Sequence, residues 1–131
     1  MHYIILCFVL ALHLTSKLAL MNTDNIQSQM KKGLLEFCIL SIISRGEAYP
    51  SDISGELRES GMPVLEGTLY PLLTRLKNAG YLEYRWVESQ SGPPRKYFTM
   101  SESGQAFYLS LRQTWVEISA AVNKITQQPQ A

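Results

Sequence analysis

Residues 66–80 read Glu66-Gly67-Thr68-Leu69-Tyr70-Pro71-Leu72-Leu73-Thr74-Arg75-Leu76-Lys77-Asn78-Ala79-Gly80, and the organisation of the chain is best read outward from them. At about 100° per residue, Leu69, Leu72, Leu73 and Leu76 gather on one side of a helix. The opposite side carries Gly67, Pro71, Thr74, Arg75 and Asn78, with Thr68, Tyr70 and Lys77 at the flanks. The spacing predicts a helix over 66–79, stopped by Gly80. Pro71 lies past the first turn, where it removes a backbone donor and is expected to distort the helix.

Upstream, Leu34, Leu35, Cys38, Ile39, Ile42 and Ile43 recur at three- and four-residue spacing and predict a helix over 31–45 that ends at Gly46. Cys38 sits on that apolar face and reads as a small buried hydrophobe rather than a reactive thiol. Pro50 can open a short second helix, where its missing N–H costs little, with Ile53 and Leu57 on one face. Asp52, Glu56 and Glu59 read as that helix's solvated side. Gly61 and Pro63 close it.

Downstream of Gly80 the period changes. Tyr81–Ser89 and Lys96–Met100 are rich in Tyr, Trp, Val, Phe and Thr, which favour strands. Gln90-Ser91-Gly92-Pro93-Pro94 between them is turn chemistry, so the segment predicts a hairpin followed at its tip by Arg95 and Lys96. Trp86, in the first strand, reads as packing. Ser101 is an N-cap candidate for a last helix, with Glu102 favourable in its first turn and Pro129 as its stop. Along it Leu111, Trp115, Ile118, Val122 and Ile125 recur at alternating spacings of four and three, the seam of a two-helix coil. A helix of about 24 residues is about 36 Å long and overhangs so small a body, so a partner helix is the better use of that seam.

The predicted class is therefore mainly α with a small β-hairpin. Three helices, a two-stranded hairpin and a long trailing helix follow the order of a winged helix-turn-helix, in which the third helix enters the DNA major groove and the hairpin touches the neighbouring backbone. Gly67, Thr68 and Thr74 are short enough to allow close approach. Arg75 and Asn78 can reach base edges or phosphates, Tyr70 can donate to a phosphate, and Arg95 and Lys96 supply charge for the backbone.

Composition bounds the alternatives. The 131 residues carry a net charge of +1, are 46% hydrophobic and 18% charged, and fit one domain with a tail. A net charge this small excludes binding of polyanions by bulk attraction. It does not exclude a local patch: residues 67–96 hold Arg75, Lys77, Arg85, Arg95 and Lys96 against only Glu83 and Glu88. Cys7 and Cys38 cannot form a disulfide framework and fit a reducing compartment. The two histidines, His2 and His13, both precede residue 21, and no metal-ligand spacing, paired carboxylates or phosphate-cradling loop follows. An enzyme is not expected, nor a cofactor or a metal.

Residues 1–20, MHYIILCFVLALHLTSKLAL, hold one charge, Lys17. The apolar run Ile4–Leu14 is shorter than the about 20 residues of a membrane span, and it lacks the basic flank and cleavage site of a signal peptide. Met21 opens a polar stretch that reads like a natural start. We expect 1–20 to be an upstream extension, 21–100 a winged helix-turn-helix domain, and 101–131 a dimerisation helix and tail. Export or membrane anchoring is the alternative for 1–20.

The stretch Gly67–Leu76, then Gly80-Tyr81-Leu82, Ser91-Gly92-Pro93-Pro94-Arg95-Lys96-Tyr97-Phe98 and Ser101-Glu102-Ser103-Gly104, resembles the PadR family of bacterial transcriptional regulators. The resemblance runs from Lys31 to Gln128, and the extension 1–20 departs from it. It implies that Pro71 is tolerated within the recognition helix. It further implies a cytoplasmic homodimer on a pseudo-palindromic double-stranded operator, usually repressing. The single C-terminal helix matches the short type, in which that helix dimerises and a Trp in it lines a pore that takes planar, drug-like molecules; Trp115 falls at that place. For Trp115 the plainer reading is a seam residue burying a large area. A winged-helix module that binds protein without DNA is the second reading, favoured by the neutral charge of 21–131.

Overall fold

The computed structural model describes residues 2–127. The element order is α1 (His2–Ser44), α2 (Pro50–Glu59), α3 (Glu66–Asn78), β1 (Leu82–Val87), β2 (Arg95–Met100) and α4 (Glu102–Thr126). This is a mainly helical fold with a two-stranded antiparallel hairpin and a long C-terminal helix. The chain divides into two units, at Leu35 and Glu36. Pro129, expected to end the last helix, lies outside the described residues.

The first unit is helical where it is described, well beyond the expected start near residue 31. The reason is local: no Gly or Pro occurs between residues 2 and 32, and Leu, Ala, Met and Gln are good helix formers. Its apolar side chains, among them Tyr3, Ile5, Leu6, Phe8, Val9 and Leu14, are exposed. An 18-residue window in this helix has mean hydropathy 2.1, so by length and composition it is apolar enough to cross a membrane, more than the run Ile4–Leu14 alone suggested.

The second unit holds the core. Ile39, Leu40 and Ile43 of α1 meet Ile53 and Leu57 of α2, the four leucines of α3, and Leu82 and Phe98 of the hairpin, all buried. Leu40, outside the expected face, is wholly buried, whereas Cys38 and Ile42 are half-buried. Burial pushes the Cys38 thiol up, away from its reactive thiolate form.

Two connections are more structured than expected. Tyr49 is held extended by the proline that follows it. Beside it, Ala48 exchanges two backbone hydrogen bonds with Phe98, at 3.0 and 2.9 Å, so the α1–α2 link pairs with β2. Asp52 is also not a mere surface acid, because its Oδ2 accepts the Tyr49 N–H at 3.1 Å and caps α2.

Pro71 leaves α3 continuous. The carbonyl deprived of its donor belongs to Gly67, which has no side chain to crowd the ring, and both residues are exposed where water can take that carbonyl.

Ser101 caps α4 as expected: its Oγ accepts the Gly104 N–H at 3.0 Å and donates to the Gly80 carbonyl at 2.5 Å. Ser103 donates to the same carbonyl at 2.8 Å. The start of α4 is thus stitched to the α3–β1 turn, where Gly80 has φ 83°. A Cβ placed on Gly104 would overlap the Tyr81 carbonyl, so α4 docks here only through a glycine.

Candidate nucleic-acid interface

Helix α3 sorts its residues as its periodicity requires. Leu69, Leu72, Leu73 and Leu76 are buried, and Gly67, Thr68, Tyr70, Pro71, Thr74, Arg75 and Asn78 are all exposed. Its last turn carries Arg75 and Lys77, favourable at a helix C-terminus. The hairpin follows immediately, in the register Tyr84↔Phe98, Arg85↔Tyr97, Trp86↔Lys96 and Val87↔Arg95.

Strand alternation separates the two wing cations that the sequence presents side by side. Lys96 lies on the face of Leu82, Tyr84, Trp86 and Phe98; its Nζ stands 3.9 Å from the Tyr84 ring centroid and 5.5 Å from that of Trp86. Arg95 lies on the opposite face, with its guanidinium carbon 5.0 Å from the Tyr49 ring centroid. Only the Lys96 face borders α3: Lys77 Nζ is 5.5 Å from the same Tyr84 ring, and a cleft of about 100 Å³ is lined by Thr74, Lys77, Asn78, Tyr84, Lys96 and Phe98. Neither Lys77 nor Tyr84 was among the expected contacts. The period-two alternation Leu82-Tyr84-Trp86 is the signal that places Tyr84 on this face.

Trp86 is not packed away. It is 62% exposed and meets Tyr84 edge-on at 6.2 Å, because the hairpin outruns the core that Leu82 and Phe98 fill at its base.

The positive surplus of residues 67–96 is smaller than the sequence count. Arg75 pairs with Glu36 of α1, and Arg85 makes a two-pronged pair with Glu47, at 2.8 and 2.6 Å. Both acids come from outside the segment. Arg85 holds the Glu47 carboxyl below the usual range, through the hydrogen bond first and charge second. A guanidinium has five N–H donors, so the Glu36 pair orients Arg75 and still leaves donors free on an exposed side chain.

Beyond its docked root, α4 extends with few neighbours. Phe107 stacks on Tyr81 at 4.2 Å and Tyr108 on Phe37 at 5.9 Å. A hydrogen bond between the Tyr108 hydroxyl and Ser41 Oγ, 3.4 Å long, holds that phenol below its ordinary range. Leu111 is half-buried, and past it Trp115, Ile118, Val122 and Ile125 are 42%, 52%, 48% and 75% exposed.

Comparison with known proteins matches this arrangement. The family model described as the transcriptional regulator PadR-like family matches residues 39–109. A PadR-like transcription factor from Bacteroides fragilis is similar at 51% identity, over 78% of this chain and 99% of that one, with a TM-score of 0.66. A PadR-like transcriptional regulator from Bacillus cereus is similar at 38% identity, over 77% and 99%, with a TM-score of 0.71. One from Eggerthella lenta is similar at 30% identity, over 83% and 99%, with a TM-score of 0.70. On a family match that spans more than half of its residues, and on relatives it covers almost end to end, this chain belongs to the PadR-like family of transcriptional regulators, which are not enzymes.

Proposed function

We propose that the protein is a sequence-specific DNA-binding repressor that acts as a homodimer on a pseudo-palindromic operator in the cytoplasm. The observation that carries this reading is the exposed polar side of α3, set back to back with four buried leucines and flanked by a basic wing. Gly67, Thr68, Tyr70 and Pro71 enter the groove closely. The Glu36-oriented Arg75 reads base edges, and Thr74 and Asn78 reach base edges or phosphates. Arg95 and Lys96 contact backbone on the two sides of the wing.

Helix α4 supplies the second half-site. Leu111, Trp115, Ile118, Val122 and Ile125 pair with the same residues of a second copy. Two recognition helices then sit about 34 Å apart, one turn of DNA. The dimer occludes a promoter, and a planar aromatic effector against Trp115 changes the spacing of the two α3 helices and releases it.

Selection of bound duplexes from a random pool, followed by gel shift with the full chain, tests the reading. The expected result is a two-fold-symmetric site with half-sites one turn apart and affinity that falls steeply with salt. Failure to retard any duplex at low salt would overturn it in favour of a protein-binding winged-helix module. Quenching of Trp115 fluorescence by an acridine dye, lost in Trp86-only variants, tests the effector site.

A further inference from the structure

The charges around α3 and the wing fall into two kinds. Arg75 and Arg85 are neutralised within the chain by Glu36 and Glu47, and Arg45 by Glu56. Among the described residues the ion pairs are these, and none includes Lys77 or Lys96. Instead the two ammonium groups, one from the recognition helix and one from the wing, stand within 5.5 Å of the centroid of one ring, that of Tyr84. Ring quadrupole attraction seats each of them, but two like charges drawn to one ring also repel each other. An anion between them turns that repulsion into attraction.

The space beside them suits one. The cleft of about 100 Å³ adds Thr74 and Asn78, hydroxyl and amide donors, to the two ammonium groups, and has no carboxylate in its lining. It holds roughly three waters' worth of liquid volume, enough for a tetrahedral oxyanion. Resting on the reading of α3 and the wing as a DNA-binding surface, we propose that Lys77 and Lys96 grip one and the same DNA backbone phosphate over the ring of Tyr84. The clamp ties recognition helix and wing to a single point on the duplex, so that the register of α3 in the groove and the seat of the wing are set together. Lys77 and Tyr84 become part of the interface, and Arg95, on the far face of the wing, does not share in the clamp.

A shared phosphate predicts non-additivity, which two independent contacts do not. The selected operator is titrated at several salt concentrations with the full chain and with the variants Lys77→Gln, Lys96→Gln and the double variant, each checked for an unchanged thermal melt. Neutralising one phosphate contributes a log–log salt slope of about 0.9. In a clamp, the ammonium left in each single variant still neutralises the shared phosphate, so each single variant loses well under that unit and the double variant loses about one unit in all. Loss of about one unit in each single variant and about two in the double variant, or no loss in the double variant, overturns the clamp while leaving DNA binding intact. Tyr84→Leu, which removes the ring and no charge, should weaken binding several-fold in the wild-type background and have no effect in the double variant; an equal effect in both overturns the role of the ring. Sodium phosphate matched to sodium chloride in ionic strength separates two sources of the oxyanion. Extra displacement of DNA by phosphate from the wild type and not from the double variant supports a backbone phosphate in the cleft, whereas phosphate that binds the free wild type but displaces no DNA beyond the chloride control assigns the cleft to free phosphate and overturns it. If the wild type retards no duplex at all, the DNA-binding reading fails first and the clamp with it.

Discussion

Helices α3 and α4 are written in the same code and end in opposite situations. Each carries an apolar stripe at spacings of three and four: Leu69, Leu72, Leu73 and Leu76 on one, Leu111, Trp115, Ile118, Val122 and Ile125 on the other. In α3 every member of the stripe is buried by the chain's own α1, α2 and hairpin. In α4 the stripe is half-buried at Leu111 and open to solvent beyond it. Periodicity states which side of a helix wants to leave water and leaves open what covers it. The difference lies in length and attachment. Helix α3 is short and lies wholly over the core, whereas α4 is held along its first turns, by Ser101, Ser103, Gly104, Phe107 and Tyr108, and outruns the body it starts from.

The sharpest way to break that contrast is to treat both stripes alike. Leu73→Ala removes a fully buried side chain, and the expected cost is about 2–5 kcal/mol in denaturant unfolding. A cost below about 1 kcal/mol would mean that α3 is not seated as described. Trp115→Ala should leave unfolding of the dilute chain nearly unchanged, because its target is self-association. A loss of about 2 kcal/mol or more there, roughly thirty-fold in the dissociation constant, is the expected reading by analytical ultracentrifugation. An unaltered sedimentation profile would remove the seam from the interface.

Gly104→Ala probes the root of α4. The added methyl meets the Tyr81 carbonyl, and the expected penalty is about 1–3 kcal/mol in thermal unfolding, with operator affinity reduced as α4 shifts against the α3–β1 turn. Glu47→Gln sets the floor of the comparison, since its pair with Arg85 is exposed. Because the folded-state pKa of Glu47 is lowered, the stabilisation is present above the ordinary carboxylate range and disappears as pH falls through the folded-state value. The melting temperatures of wild type and variant should therefore differ slightly at pH 7 and converge in acid. A gap that widens on acidification would contradict the pair.

Most of the second unit is legible in the amino-acid sequence. The leucine face of α3, the turn at 90–94, the strands on either side and the Ser101 cap depend on residues close in sequence, where period and turn chemistry act directly. Five features are not, or only in part, and each depends on how distant segments pack. Leu40 is buried through a wider α1 face than the spacing rule drew. Ala48 pairs with Phe98 across 50 positions of chain. Glu36 and Glu47 reach Arg75 and Arg85 and reduce the local positive surplus. Trp86 stays exposed because the hairpin projects past the core. Arg95 and Lys96, adjacent in sequence, part to opposite faces of the wing; period two alone already implied that separation, but not which face would border α3.

The amino-acid order settled the elements of this protein, their sequence along the chain and the polar or apolar character of each face, because backbone propensity, capping and periodicity act over a few residues. It also settled the family, through motifs that are contiguous stretches. Which cations remain unpaired, which wing face borders α3, and which apolar stripe is left without a cover came from packing. Charge neutralisation and burial are set by groups brought together from dozens of residues apart, and no local window contains both partners.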